Sequence, residues 1–227
     1  MPARSRPLRS DAARNRGKLL DAAVQVFGER GLDAPLEHIA RRAGVSIGTL
    51  YAHFPAREAF FDAIFPPRLA ALEQFAAQAL ADPDPWDGFT GFTEALFGML
   101  AADRGLSDAF AQRFPASTEV AGACRRGFAH ADQIIDRARD SGQLRPDFQV
   151  ADLVSLTWAI SQVIRESAAT APDAWRRCLA FFLDGLRTEA ARGSTVPALT
   201  SAQLAKAGQA RDSNKGTISP SKATEVG

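Results

Sequence analysis

The 227-residue sequence contains only two cysteines, Cys124 and Cys178, and no run of 18 or more apolar residues. Two cysteines are too few for a disulfide framework, and they lack the spacing of a metal site. The first nine residues carry three arginines but no apolar segment, so we expect no signal peptide there. These absences predict a cytoplasmic protein that has no membrane partner.

Motifs that carry enzyme chemistry are also missing. The sequence has no glycine-rich phosphate loop after a strand, no His-Glu-x-x-His pair, no nucleophile elbow and no clustered carboxylate pair. The three histidines, His38, His53 and His130, are too scattered to predict a metal site. We therefore expect a protein that is not an enzyme, with no catalytic residue, no metal and no cofactor.

The charge is distributed unevenly, although the net charge is only +1. Residues 1–60 hold ten Arg and Lys against six Asp and Glu, a net charge of +4, which leaves −3 for the rest of the chain. A basic end on a mildly acidic body suits a protein whose N-terminal part meets phosphates. Many domains that bind no nucleic acid show a similar imbalance, so the charge alone does not decide the matter.

Apolar residues repeat with a helical period through most of the chain, and no segment alternates with the period of two that a strand needs. The pattern predicts an all-α fold of about nine helices. Pro35 is expected at the first position of the second helix and Gly44 just past its end. Ser46 is expected to cap the third helix. Pro66 and Pro67 are expected to break or kink the fourth helix.

The pattern divides the chain into a basic flexible arm at residues 1–13, a helix-turn-helix domain at 14–62, a helical body at 63–192 and a tail at 193–227. The last two helices of the body are predicted at 149–167 and 173–191. The tail is predicted to be disordered, because small and polar residues dominate it and no helical stripe continues. For the arm, insertion into the minor groove and a solvated leader remain equal alternatives.

The tight turn Ala43-Gly44-Val45-Ser46 joins two short helices with the spacing of a helix-turn-helix. Gly44 supplies the positive φ that such a turn requires. The helix after the turn needs a buried apolar face, which Leu50, Phe54 and in part Ile47 provide, and an exposed face that is small or hydrogen-bonding. Spacing alone leaves open an αα-hairpin that packs in a helical bundle and never meets nucleic acid.

The segment IARRAGVSIGTLYAHF, from Ile39 to Phe54, is followed by Arg57-Glu58-Ala59. Together they closely resemble the DNA-binding signature of the tetracycline-repressor-like (TetR) family. The specific resemblance covers roughly residues 14–62, and past that point only the number and order of helices agree. It implies a regulator that binds double-stranded DNA with these residues: Ser46, Ile47, Gly48, Thr49, Tyr51, His53 and Arg57.

The resemblance also implies roles for these residues. Ile47 and Gly48 match positions that meet base edges, whereas the phosphate-binding positions are Thr49, Tyr51, His53 and Arg57. Because Ile47 and Gly48 cannot form bidentate pairs with bases, direct readout would rest on thymine methyl groups and close backbone approach, helped by DNA shape. Two departures, Ala52 and Glu37, each put one further family contact in doubt.

The last two predicted helices are apolar around most of their circumference, so each must bury two faces. A central helix of a monomeric bundle explains one such helix more easily than two. In TetR-like proteins the final two helices pair with their counterparts in an antiparallel four-helix interface. We therefore predict a homodimer whose interface contains Trp158, Ile160, Trp175 and Phe182.

The middle of the chain is rich in phenylalanine, and spacing does not separate a packed core from a ligand cavity. The resemblance favours a cavity for a small apolar or aromatic effector, with these candidate residues: Phe89, Phe92, Leu96, Met99, Phe110, Cys124 and Phe128. It implies a repressor that the effector releases from a palindromic operator. Two alternatives remain open: a helical ligand-binding or interaction protein without DNA binding, and a DNA-binding activator without an effector.

Overall fold

The structure, a computed structural model, describes residues 6–103, 105–107, 118–204 and 206, and it describes side chains from residue 11 onward except at 118–125 and 128. Its α-helices are α1 (Arg6–Arg30), α2 (Leu36–Ala43), α3 (Ile47–His53), α4 (Arg57–Ala81), α5 (Pro85–Ala102), α6 (Thr118–Asp140), α7 (Val150–Ser167) and α8 (Ala174–Leu186). Over these described ranges there is no strand, and Leu144 and Arg187 form an isolated antiparallel bridge. The predicted all-α fold is confirmed.

Aromatic side chains hold the N-terminal helices together. The rings of Phe54 and Phe60 stack with centroids 4.0 Å apart, and Phe27 on α1 meets Phe60 edge-on at 6.3 Å and Phe61 at 5.5 Å. All four side chains are at most 2% exposed. Because these rings come from α1, from the end of α3 and from α4, their packing fixes the direction in which α3 lies.

Helix α4 runs without interruption from Arg57 to Ala81, so Pro66 and Pro67 do not break it, whereas the kink expected as the alternative stays a prediction. Neither proline has an amide hydrogen to donate, so α4 forms without two of the backbone hydrogen bonds of a regular helix. Pro67 is exposed and Pro66 half-buried, whereas the opposite side of the helix is an apolar stripe packed in the core. Burial of that stripe holds the helix together across the proline pair.

Several boundaries differ from the sequence-based predictions. Helix α1 begins at Arg6, inside the segment predicted as a flexible arm, and residues 1–5 lie outside the described part. Pro35 is the N-cap of α2 and not its first residue. Helix α8 ends at Leu186 and is followed by a 3-10 helix at Thr188–Ala190. The structure also describes residues 193–204 of the predicted tail, whereas residues 207–227 lie outside the description.

The body is built from α4 to α8. The start of α5 packs closely against the end of α4. A Cβ at Gly88 would lie 2.4 Å from the carbonyl oxygen of Ala79, so only glycine allows α5 to approach the end of α4 so closely. Asp84 caps α5 by accepting a hydrogen bond of 2.8 Å from the Trp86 amide. Gln143 accepts from the same amide at 3.1 Å, which ties the α6–α7 turn to the start of α5.

Asp103 and residues 105–107 connect the body to α1 through side-chain and backbone contacts. Asp103 forms an ion pair with Arg68 on α4, and its other carboxylate oxygen accepts a hydrogen bond of 3.0 Å from the Leu106 amide. Leu106 is 1% exposed, and a Cβ at Gly105 would lie 3.4 Å from the Cβ of Phe27. A movement of this segment would therefore be felt directly by the first helix of the N-terminal unit.

Candidate nucleic-acid interface

The turn between α2 and α3 has the geometry that its sequence predicts. Gly44 adopts φ 68° and ψ 33°, and the Val45 amide donates a hydrogen bond of 3.1 Å to the Ala40 carbonyl oxygen. The left-handed backbone at Gly44 would strain any other residue. Ser46 then caps α3, because its Oγ accepts a hydrogen bond of 3.1 Å from the Thr49 amide. The chain therefore turns sharply and starts α3 at a fixed angle.

Helix α3 has one buried side and one exposed side. Leu50 is fully buried and anchors the helix, whereas Ile47 is 38% and Tyr51 47% exposed. Gly48 and Ala52 are also exposed and lie one residue further along on the same face. Thr49 and His53 are half-buried at the edge of this face. The structure thus brings the predicted α3 residues together on or beside a single exposed surface.

Gly48 stands in open space on that surface. A Cβ at this position would have one neighbour within 4 Å among the described atoms, the Ser46 Oγ at 3.9 Å, and the backbone there is ordinary helix. Packing and backbone geometry therefore do not require glycine at this position. The absence of a side chain instead leaves a shallow gap between Ile47 and Tyr51, where a partner surface can approach the helix backbone.

Arg57 at the start of α4 is engaged within the protein. Its Nη1 donates hydrogen bonds to the carbonyl oxygens of Leu32 and Ala34, and the bond to Ala34 is 2.8 Å long. Its guanidinium also lies over the Phe27 ring, 6.0 Å from the centroid. The phosphate-binding residue that the sequence predicts therefore also fastens the α1–α2 turn to α4, a role that the sequence pattern did not reveal.

Other basic residues of the N-terminal unit differ in their availability. Arg42 donates a hydrogen bond of 2.6 Å to Glu29, and this bond raises the pKa of Arg42 and lowers that of Glu29. Arg41, its neighbour, is exposed. Arg16 on α1 lies over the Phe54 ring, 5.1 Å from the centroid, which places an exposed cation beside the end of α3. No sequence motif marks Arg16, because only the fold brings it to α3.

The candidate effector residues are described only in part. Phe89, Phe92 and Leu96 are at most 5% exposed in the core, and Met99 is half-buried against it. The Phe89 ring packs on the ring of Phe148 at 5.8 Å, on the side of the α6–α7 turn. Phe110 lies outside the described residues, as do the side chains of Cys124 and Phe128. The predicted pocket as a set therefore stays a prediction.

The candidate dimer residues fall into two groups. Ile160 is fully buried and Trp175 is 1% exposed inside the protomer, so both belong to its core and neither faces solvent. In contrast, Phe182 is 42% and its neighbour Phe181 62% exposed on α8. Trp158 on α7 is half-buried. The sequence pattern could not separate the two groups, because both faces of these helices are apolar.

Two family models match the chain. One, described as bacterial regulatory proteins of the tetR family, matches residues 19–64. The other, described as the C-terminal domain of SbtR-like transcriptional regulators, matches residues 84–188. The chain belongs to the TetR family. This membership identifies it as a DNA-binding transcriptional regulator and not an enzyme.

Individual relatives agree with this assignment. A TetR transcriptional regulator of Streptomyces coelicolor is 34% identical over 76% of this chain and 98% of its own, with a TM-score of 0.48. The fold is shared with the regulator FadR of Bacillus subtilis, solved with stearoyl-CoA, at 18% identity and a TM-score of 0.58 over 78% of this chain and 99% of that one. The regulator SrpR of Pseudomonas putida is 37% identical over 70 residues, 30% of this chain and 33% of that protein.

The chain spans between a third and about half of the length of the curated regulators that it matches. Among the helices that the structure describes, none is both long and apolar enough to cross a membrane. In the same described part of the chain, no group of three or more His, Cys, Asp and Glu side chains is placed to hold a metal ion.

Proposed function

We propose that this TetR-family protein is a cytoplasmic repressor that binds a palindromic operator as a homodimer and leaves it when a small apolar effector binds. The exposed face of α3 carries the proposal. Ile47, Gly48 and Tyr51 share this face, and Leu50 behind it is fully buried. A helix anchored from behind and open in front suits the major groove, which is wide enough to accept it.

On this proposal, Ile47 and the gap at Gly48 meet base edges, whereas Thr49, Tyr51 and His53 contact phosphates. Ser46 acts mainly through the helix, because its Oγ is already committed to the Thr49 amide. Arg57 adds positive charge next to the DNA while its Nη1 holds the α1–α2 turn. The exposed Arg16 adds a further positive charge beside the end of α3. Sequence preference then depends on methyl contact and backbone approach more than on paired hydrogen bonds.

The dimer follows from the length of DNA that one helix can read. A single helix-turn-helix makes too few contacts for a specific site, so two are needed about one turn of DNA, ~34–36 Å, apart. The exposed side chains of Phe181 and Phe182 on α8 are the apolar surface on which a second copy would pack. A two-fold axis through this surface gives a palindromic operator.

Release by an effector requires a difference in affinity between two arrangements of the dimer. The effector must bind more tightly to the arrangement in which the two α3 helices are not spaced to fit the operator. Equal affinity for both arrangements would leave the equilibrium between them unchanged. A tenfold preference corresponds to about 1.4 kcal/mol, which a few buried apolar contacts supply. The close approach of Gly105 to Phe27 on α1 offers a mechanical link from the body to the DNA-binding unit.

The proposal is tested by selecting DNA from a random duplex pool with the purified full-length protein. We expect a two-fold symmetric sequence whose half-sites lie one turn apart, with an affinity that falls steeply as salt rises. Tyr51→Ala should abolish the selection, whereas Asp132→Asn, a change at an exposed residue of α6, should leave it intact. If Tyr51→Ala selected the same DNA sequence with the same affinity as the native protein, this face of α3 would not be the DNA-binding surface.

A further inference from the structure

A groove of about 680 Å³ lies between the start of α7, the end of α8 and the segment that follows α8. Its apolar floor is formed by Leu156 and Ala159 on α7 and by Phe182 and Leu186 on α8. Its outer wall is the C-terminal strap, which we define as residues 192–199. Neither of the two family models covers this strap, since their matches end at residue 188.

The strap is fixed to the protein by polar contacts at its start. Nη2 of Arg145 donates a hydrogen bond of 2.9 Å to the carbonyl oxygen of Arg192, and the Asp147 carboxylate accepts one from the Ser194 amide. Arg145 itself is bound to both oxygens of Asp147, so one ion pair on the α6–α7 turn anchors the strap. The strap therefore leaves α8 in a defined direction.

The apolar side chains of the strap do not fill the groove that the strap borders. Val196 on the strap wall is 73% exposed, and Phe182 on the opposite wall is 42% exposed. The strap is held by its backbone, but apolar side chains on the strap and on α8 remain exposed to water on the two walls of the groove. Such walls favour the binding of a second apolar surface between them. A space of about 680 Å³ has room for several large side chains.

The groove is continuous with the exposed α8 face that carries Phe181 and Phe182. In an antiparallel two-fold dimer whose axis passes through this face, the partner's Phe181 lies beside Phe182 of this chain, at the edge of the groove. Phe181 is 62% exposed, with the Arg177 guanidinium 4.8 Å from its ring centroid. The groove offers an apolar floor to the ring, and its rim carries Asp152 beside the Arg145–Asp147 pair, so the rim keeps a net negative charge that suits the guanidinium.

We infer that the C-terminal strap clasps the second copy of the chain, with the partner subunit's Phe181 seated in the groove and the partner subunit's Arg177 at its acidic rim. This inference rests on the proposed dimer and adds to it a contact made by the strap. Two straps would close over one interface by symmetry. The dimer would then be held by α7 and α8 and also from outside, by residues that no helix contributes.

The first experiment compares the full chain with two truncations, one that lacks residues 207–227 and one that lacks residues 193–227. Dissociation of the dimer is measured by sedimentation equilibrium, with circular dichroism to show that each variant is folded. We expect loss of 193–227 to raise the dimer dissociation constant at least tenfold and loss of 207–227 to change it less than twofold. Val196→Asp in the full chain should also raise the dimer dissociation constant.

The second experiment places the strap by cross-linking between two differently tagged protomers, both with Cys124 and Cys178 replaced by alanine. One carries Val196→Cys and the other Phe181→Cys, and a short bismaleimide is added to the mixture. A covalent heterodimer is expected. Thr170→Cys in place of Val196→Cys should give none, because this exposed residue lies in the turn before α8, whereas the strap follows the end of α8.

An unchanged dissociation constant after loss of 193–227, or no heterodimer through residue 196, overturns the clasp while the α7–α8 dimer stands. If loss of 207–227 alone accounts for the weakening, the strap is not the segment that holds the partner, and the clasp is again wrong. A full chain that is monomeric at micromolar concentration would instead remove the dimer of the proposed function together with the clasp.

Discussion

Arg57 donates a hydrogen bond of 2.8 Å to the carbonyl oxygen of Ala34 across the space between α4 and the turn before α2. A second bond from the same nitrogen reaches the carbonyl oxygen of Leu32. These carbonyl groups belong to a turn, so they have no helical donors of their own. The residue that family resemblance assigns to a phosphate is thus also the support of the turn that positions α2 and, through it, α3.

Two substitutions separate these roles of Arg57. Arg57→Ala should lower the free energy of unfolding by about 2 kcal/mol, because two charge-assisted hydrogen bonds are lost. It should also reduce the salt slope of DNA binding by about one. Arg57→Lys should lower stability while it keeps the slope, since lysine retains the charge but lacks the planar fork. Chemical denaturation and mobility-shift titrations at several salt concentrations measure both quantities.

A loss of stability in Arg57→Ala with an unchanged salt slope would show that Arg57 supports the turn and touches no phosphate. The exposed Arg41 on α2 serves as the matched control, because its replacement by alanine removes the same charge from the same unit. Arg41→Ala should leave the free energy of unfolding within about 0.5 kcal/mol of the native value.

The dimer prediction depends on the difference between Phe182 and Trp175. Phe182→Asp changes a side chain that is 42% exposed, so the protein should stay helical and become monomeric. Trp175→Ala empties a site that is 1% exposed, and should lower the free energy of unfolding by about 3–5 kcal/mol. Light scattering gives the mass and circular dichroism the fold. A folded dimer of Phe182→Asp would exclude this face of α8 from the interface.

Most of the fold was predictable from the sequence, because it depends on local signals. Gly44 and Ser46 fix the turn and cap of the helix-turn-helix through their own backbone and side-chain chemistry, and both behave as predicted. The uninterrupted α4 was not predictable from Pro66 and Pro67. The local penalty of a proline is overridden by burial of the opposite face, and that burial depends on helices distant in the sequence.

The site was predictable where exposure follows from helical period and unpredictable where it follows from tertiary packing. The period of α3 puts Leu50 inward and Tyr51 outward. In α7 and α8 the apolar residues surround the helix, so the sequence could not tell that Trp175 is core and that Phe181 is exposed. Arg16 was missed for a similar reason, since its contact with Phe54 spans 38 positions along the chain.

The Arg145–Asp147 pair makes stability depend on pH in acid. The Arg145 guanidinium, hydrogen-bonded to the carboxylate, lowers the pKa of Asp147 to about 2, below the value near 3.9 of an unfolded chain. The pair therefore stabilises the fold fully above about pH 4, and this contribution is lost as the pH falls toward 2. Asp147→Asn should lower the melting temperature at pH 5 and lessen its decline between pH 4 and 2.

The exposed Asp132 on α6 provides a matched control substitution. Asp132→Asn also removes one carboxylate but leaves the Arg145–Asp147 pair in place, so its melting temperature at pH 5 should stay close to that of the native protein. Identical acid profiles for native protein and Asp147→Asn would mean that the pair does not contribute to stability.

Two hydroxyl groups on α7 should respond in opposite ways to removal. The Ser161 Oγ is buried and forms no hydrogen bond within the described part of the chain, whereas the Thr157 Oγ1 donates one of 2.7 Å to Leu153. Ser161→Ala should raise the free energy of unfolding by about 1 kcal/mol, since it removes a buried polar group without a partner. Thr157→Val should lower it by about 1 kcal/mol. Urea denaturation that finds Ser161→Ala less stable would contradict this account.

Gly48 offers the sharpest test of the DNA-binding face, because stability and binding should move apart. Its position is ordinary helix, and a new Cβ would meet only the Ser46 Oγ at 3.9 Å among the described atoms. Gly48→Ala should therefore leave the free energy of unfolding unchanged or raise it by up to about 1 kcal/mol, as alanine favours the helix. The affinity for the operator should fall at least tenfold, because the methyl group stands where the backbone approaches base edges.

Gly91→Ala is the matched control for this prediction, since Gly91 is an exposed helical glycine on α5 whose Cβ would meet nothing within 4 Å among the described atoms. It should raise stability by a similar amount and leave operator affinity unchanged, because α5 is part of the body. Thermal unfolding and mobility-shift titrations on both variants give the comparison. If Gly48→Ala bound the operator as tightly as Gly91→Ala does, α3 would not approach DNA through this gap.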